Sequence, residues 1–194
     1  MYMAGQGHVE RSIYDLIIPG APGPTRERLE QMTRLLTTKK ASWFHHSHYV
    51  VTEAGGSLAA SLCSFNARQG GGKKLVAAFT KIGWSGADLH AMVDRMQPVF
   101  RVQPSLPRDA WIIENVATTL GFRGRGIIGA LLEHAVEKGR DRGYGHFQIA
   151  CMIGNTPAQR AYEKIGFRVV EELRDSEFER IFGTPGMSRL TMQL

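Results

Sequence analysis

The segment TRERLEQMTRLL places Leu29, Met32, Leu35 and Leu36 among charged residues at the spacing of a helix with one buried face. GAPGP just before it marks a turn. The pattern then changes period: HYVVTEAGGSLAASLCSF reads as two strands joined at Gly55-Gly56, the kind of pair a tight hairpin turn requires. NARQGGGKK breaks the pattern and predicts a mobile, basic loop. SGADLHAMVDRMQPVF predicts a second helix opening near Ser85 or Asp88, with RVQPSLPRD as a proline-marked loop after it.

From Ala110 onward the pattern sharpens. AWIIENVAT is rich in apolar and β-branched residues and predicts a strand, followed by the turn GFRGRG. The next helix gathers Ile127, Ile128, Leu131, Leu132, Ala135 and Val136 on one face, sends Glu133, Glu137 and Lys138 to the other, and stops at Gly143. HFQIACMI carries almost no charge, as a strand covered on both faces should. Strand, helix and strand at this length predict a right-handed crossover joining parallel strands. TPAQRAYEKIG predicts a short helix with Thr156 as its cap, Pro157 at its start and Gly166 at its end; Ala158, Ala161, Tyr162 and Ile165 form its apolar face. FRVVEEL and MSRLTMQL predict two last strands, antiparallel neighbours.

Composition narrows the class. A chain of 194 residues with no internal repeat and no linker suits one domain over 1–194. Apolar content of 43% and charged content of 22% exclude wholesale disorder. No apolar run reaches the about 20 residues that span a bilayer. MYMAGQGHVERS lacks the layout of a signal peptide, and Cys63 and Cys151, the two cysteines, read as reduced core residues; a cytoplasmic protein is expected. The net charge of +6 favours anionic partners without choosing among nucleic acid, a membrane surface and a phosphorylated cofactor.

GFRGRG supplies the choice. A turn leading from a strand into a helix points the first helical N–H groups outward, where the helix dipole adds positive charge and an anion satisfies both. Gly124 and Gly126 let the backbone approach phosphate oxygens, and Arg123 and Arg125 add forked donors. No Gly-Lys-Ser/Thr follows, so the turn is not a P-loop. Gly124, Gly126 and Gly129 have the spacing of a dinucleotide fingerprint, but the unit lies too late in the chain for a doubly wound sheet.

FRGRGIIGALLEHA resembles motif A of the GNAT superfamily of acyl-CoA N-acyltransferases, Arg/Gln-x-x-Gly-x-Gly/Ala, and NTPAQRAYEKIGF resembles its motif B at Asn155, Ala158, Tyr162, Gly166 and Phe167. The order and spacing of the two are also similar to the family's. The likeness covers Ala110 to the C-terminus, with the hairpin at Tyr49 to Phe65 resembling the family's second and third strands. It implies an α/β (α+β) fold: a mixed, mostly antiparallel sheet with a central parallel βαβ unit and flanking helices. The chain departs from the family at Ile128, where Gly or Ala is usual, and in lacking an Arg-x-Ala opening strand, so it is expected to begin inside the family's first helix. Residues 66–109 form an expected insertion between the third and fourth strands. It either helps shape the acceptor pocket, contributes an oligomer contact such as a homodimer, or is structural elaboration.

The resemblance implies transfer of an acetyl group from acetyl-CoA to a primary amine on a small molecule or peptide, by direct attack and with no metal. By likeness of position, Arg123, Gly124, Arg125, Gly126, Ile127, Ile128 and Gly129 would hold the pyrophosphate. The backbone of Val116, Ala117 and Thr118, with Asn155, would hold the pantetheine arm, and Tyr162 would protonate the leaving thiolate. Glu114, in an otherwise apolar strand with Ile112 and Val116 expected on its face, resembles in position a family general base, acting directly or through water; the alternative is an edge-exposed or salt-bridged glutamate. His45, His46 and His48 lack a metal-ligand pattern and read as loop or pocket histidines, one of which could replace Glu114 as base. Two other classes stand beside this one. A catalytically silent acyl-CoA-binding regulatory domain is favoured by Ile128. A nucleic-acid binder fits the net charge, but no motif supports it, and neither nucleic acid nor membrane is the expected partner.

Overall fold

A computed structural model describes residues 1–39 and 42–194, with the backbone alone at residues 69 and 70. Among these residues the strands are β1 (Tyr49–Ala54), β2 (Ser57–Asn66), β3 (Ala110–Thr118), β4 (His146–Met152), β5 (Arg168–Arg174) and β6 (Gly186–Gln193). They form one six-stranded sheet in the order β1-β2-β3-β4-β6-β5. β3 and β4 pair in parallel; every other neighbouring pair is antiparallel. The helices are α1 (Tyr2–Gln6), α2 (Tyr14–Ile17), α3 (Arg26–Leu36), α4 (Ala67–Gly70), α5 (Gly72–Lys81), α6 (Gly86–Val102), α7 (Ile127–Arg140), α8 (Thr156–Ile165) and α9 (Ser176–Phe182). The mixed sheet with its central βαβ unit is the expected fold. No helix of the described residues is long and apolar enough to cross a membrane.

The two faces of the sheet are covered differently. On one, α7 sets Leu131, Leu132, Ala135 and Val136 against Trp111 and Ile113 of β3 and Phe147 and Ile149 of β4. Backbone and sheet come so close that a Cβ on Gly139 would lie 2.6 Å from the Phe147 ring and 2.7 Å from Trp111. The other face carries Cys63, Phe65 and Ile112. Toward β4, β6 and β5 it carries a larger cluster in which α2, α3, α5, α6 and α9 pack through Leu16, Met32, Phe79, Val102 and Phe178.

Several expectations change. NARQGGGKK is not a loop: α4 and the start of α5 occupy it, and α5 buries Ala78 and Phe79. The side chains of residues 69 and 70 lie outside the description. α6 opens at Ser85 in a reciprocal cap with Asp88, but runs through Pro98 to Val102 because Val99 and Val102 are buried. α3 buries Arg28, Met32 and Leu35 and leaves Leu29 exposed, because a carboxylate in the core draws Arg28 inward. α8 is capped by Asn155, whose side chain accepts from the Ala158 N–H at 3.4 Å; Thr156 is the first helical residue. α1, α2 and α9 are too short to show a period in the sequence.

Candidate functional site

β3 and β4 pair only from Ala110↔His146 to Ile113↔Ile149, then part. The cause lies in β3. Its ladder with β2 slips, so that Cys63 faces Glu114 while Ser61 faces Ala117, leaving β3 one residue longer across the same span. This is a β-bulge. Asn115 takes φ 54°, the one non-glycine residue with positive φ among those described, and asparagine tolerates that conformation better than most. The Tyr14 hydroxyl, from α2, donates to Asn115 Oδ1 at 2.6 Å and pins the bulge.

The gap between the parted strands is a cleft of about 630 Å³. Glu114, Val116, Ala117 and Thr118 line one side; Cys151, Met152, Asn155 and Tyr162 line the other. The GFRGRG turn closes one end with Arg123, Gly124 and Gly126, joined by Ile127 and Ile128 at the start of α7, and α1 contributes Met3 and Ala4. Gly124 and Gly126 have φ of 75° and 74°, and Gly126 begins α7. Among the described residues, no acceptor meets the backbone N–H of Gly124, Arg125, Gly126, Ile127 or Ile128. That row of free donors at the start of a fourteen-residue helix has the geometry that suits an anion.

Two members of the expected set stand apart from the cleft. Arg125 lies over the Phe122 ring, 5.3 Å from its centroid, instead of facing the opening. The Gly129 N–H is already bonded to the Gly126 carbonyl at 2.9 Å. Arg123 does line the cleft, its Nε 3.4 Å from the Thr118 carbonyl.

Glu114 is half-buried and makes no ion pair or hydrogen bond among the described residues, so it is not a salt-bridge carboxylate. Burial pushes its pKa up to about 7. Its field reaches Tyr14, Tyr49 and Cys63. Val116 does not share its face, as simple alternation required: the bulge turns Val116 toward the α7 cluster, whereas Ile112 stays with Cys63 and Phe65. Tyr162 is buried at 4% exposure with its side chain on the cleft wall, and burial raises its pKa further above the ordinary phenol value. It therefore remains a proton donor throughout the neutral range. Cys151 also reaches the cleft, with burial pushing its pKa up to about 12, so it is a thiol near neutrality and a poor nucleophile. The Asn155 carbamoyl oxygen caps α8, and its Nδ2 is turned toward Gly7.

None of His45, His46 and His48 lines the cleft; the rings of His45 and His46 lie 4.3 Å apart, and His48 sits against Phe65. No group of three His, Cys, Asp or Glu among the described residues is arranged to hold a metal. Residues 66–109 supply none of the lining, so the expected acceptor-pocket wall is not there. α6 instead supports α2, with Arg95 donating to the carbonyls of Leu16 at 3.0 Å and Ile17 at 3.4 Å. The sequence reading missed Met3, Ala4, Gly7 and His8. A five-residue helix offers no period, and the segment reaches the cleft only because α1 packs on β3.

Comparison with known proteins adds to this geometry. The profile described as "Acetyltransferase (GNAT) family" matches residues 12–167. A stretch of 55 residues, 28% of this chain, is 40% identical to streptothricin acetyltransferase of Streptomyces lavendulae, but spans only 29% of that protein's length. Among solved structures, an N-acetyltransferase from Staphylococcus aureus Mu50 superposes with TM-score 0.64 at 20% identity, over 88% of this chain and 82% of that one. A GCN5-related N-acetyltransferase from Kribbella flavida does so with TM-score 0.54 at 15% identity, over 94% and 86%. At these identities the likeness is one of fold.

Proposed function

Since the chain belongs to the GNAT acetyltransferase family, we propose that it moves the acetyl group of acetyl-CoA to a primary amine by direct attack. One observation carries the reading: a single cleft holds free N–H donors at one end, an unpaired carboxylate with a pKa near neutrality on one wall, and a protonated phenol on the other.

Each residue has a task in that reaction. The N–H groups from Gly124 to Ile128, with Arg123, bind the pyrophosphate. The parted edge of β3 at Val116, Ala117 and Thr118 offers backbone groups to the pantetheine arm and one N–H to the thioester oxygen, where charge develops. Asn155 uses its Nδ2, since its oxygen is committed to the α8 cap. Glu114 takes a proton from the acceptor ammonium, directly or through water; a base with pKa near the working pH is effective in that role. The amine lone pair then forms the new C–N bond while the C–S bond breaks; Tyr162 gives its proton to the departing thiolate, and the nitrogen, left positive by the attack, releases its second proton through water to restore the phenol. The cleft thiol, Cys151, holds its proton too tightly for an acyl-cysteine route to compete.

A silent acyl-CoA binder is the second reading, favoured by Ile128 at a position where the motif prefers a small residue. A panel of primary amines separates the two. Calorimetry with acetyl-CoA is expected to show binding that weakens in Arg123→Ala. Mass spectrometry is expected to show an amine gaining one acetyl group as free CoA appears, at a rate lowered in Tyr162→Phe. Binding without acetylation of any amine would establish the silent binder.

A further inference from the structure

Resting on the acetyl-transfer reading, we infer that the acceptor half of the cleft is built for a primary amine that carries no second positive charge, on an uncharged and largely apolar body. The two halves of the cleft differ in chemistry. The donor half has the free N–H row and Arg123. The part of the lining we assign to the acceptor has Met3 and Ala4 of α1, Ile13, and Met152 and Met187 of the sheet, with Gly7, His8 and Asn115 beside these five. Three of these five are methionines, whose unbranched thioethers fit irregular apolar shapes.

The charge inventory of the lining decides what such a wall accepts. Glu114 is its one acidic side chain among the described residues; the basic ones are Arg123 and His8. Two acids nearby in sequence, Asp15 and Glu163, are already engaged, and Glu10 is exposed and outside the lining. Asp15 is buried against Arg28 at 2.9 Å, and Glu163 accepts from the Gln159 amide at 2.8 Å. An ammonium that leaves water for a partly enclosed apolar cleft needs a carboxylate or a set of carbonyls to replace its hydration. Glu114 can serve one ammonium, and that ammonium is the one that must lose its proton. A second would find methionine side chains and no further carboxylate in the lining among the described residues. Polyamines and multiply charged aminoglycosides are therefore disfavoured, while simple alkyl and arylalkyl amines fit.

Two amines of equal length isolate the effect of charge: n-butylamine and 1,4-diaminobutane, with spermidine as the polycation. Wild-type kcat/KM is expected to be higher for butylamine by about 10-fold or more, the scale of discrimination that one ill-matched group produces, and chiefly through KM. Met3, 41% exposed on the cleft wall, tolerates a charge, so Met3→Glu is expected to lower KM for diaminobutane and narrow the gap. Met3→Gln, equal in size and uncharged, should leave the gap in place. Across a wider amine panel, the best acceptors should be those with one ammonium at neutral pH. A wild-type enzyme that uses diaminobutane or spermidine as well as butylamine, or a panel led by polycations, overturns this inference and leaves acetyl transfer standing. So does Met3→Gln narrowing the gap as much as Met3→Glu. Acetylation of no amine at all overturns the acetyl-transfer reading itself, and this inference with it.

Discussion

The cleft is made by two regions that reach it by different routes. Residues 110–167 place their share through local backbone chemistry: a strand, a glycine turn with two positive φ angles, a helix, a parallel strand, and a helix capped by Asn155. Residues 1–36 place theirs through long-range contacts, supported by residues 66–109, which do not line the cleft. Arg28 and Asp15 meet in the core, each with side-chain exposure of 2% or less; Arg95 holds the carbonyls of α2; and Tyr14 of α2 reaches across to Asn115. Chemistry that depends on donors in a row can be built from one continuous segment. A bulge held at a set position, with a base beside it, here depends on a chain of contacts starting outside that segment. The first region should lose function when its side chains change, and the second should lose stability first.

Arg28→Ala tests the second region most severely. The guanidinium donates to the carbonyls of Ile18, Ala21 and Gly23 and pairs with Asp15, which also accepts from Tyr2 and Ser12. Its removal leaves a buried carboxylate without its cation, at a cost of about 3–5 kcal/mol. Urea unfolding should show a loss of that size. A change below about 1 kcal/mol would mean the α2–α3 corner is not held by this pair and would blur the contrast drawn above.

Glu114→Gln tests the first region. The expected fall in kcat/KM is about 10²-fold, the low end for general-base catalysis. Wild-type kcat/KM should rise with pH through about 7 as Glu114 ionises, and the variant should lack that rise. Stability moves the other way. The folded pKa lies above the unfolded value, so the native state holds its proton longer; the contribution is complete below the ordinary glutamate pKa and declines as pH rises through about 7. Glu114→Gln should therefore flatten that decline, between the ordinary glutamate pKa and about 7, in thermal unfolding. Unaltered rates across the pH range would exclude Glu114 and leave His8 or water to do its work, since the three clustered histidines stand off the cleft.

Tyr14→Phe is the smallest change and the sharpest. It removes one hydroxyl that donates to Asn115, and so costs about 1 kcal/mol of stability. If that bond positions the bulge, kcat should fall several-fold while acetyl-CoA affinity, measured by calorimetry, holds, because the donor row belongs to the other region. A stability loss with unaltered kcat would make Tyr14 a packing residue only.

Much of the first region is legible without coordinates. Period, turn chemistry and charge-poor strands give β3, α7, β4 and α8, and the placement of Gly124 and Gly126 between strand and helix points to an anion site. The errors there are informative. Val116 was expected on Glu114's face because alternation holds only in an unbroken strand, and nothing in AWIIENVAT announces that Asn115 interrupts it. Arg125 looked equivalent to Arg123 until the Phe122 ring claimed it. In α3, helical period alone favoured Leu29 for the core, where Arg28 is found.

What the sequence by itself determined is therefore what neighbours along the chain decide: helix starts and stops, the hairpin at Gly55-Gly56, the parallel crossover, and the free N–H groups of a glycine turn. These depend on φ, ψ and hydrogen bonds over a few residues. Only the tertiary structure decided that α1 walls the cleft, that α6 supports α2 instead of lining a pocket, that Glu114 stands unpaired with its pKa near 7, and that Cys151 faces the same space. Those facts rest on desolvation and on contacts between residues many positions apart, such as Tyr14 and Asn115, and no local pattern encodes the distance between them.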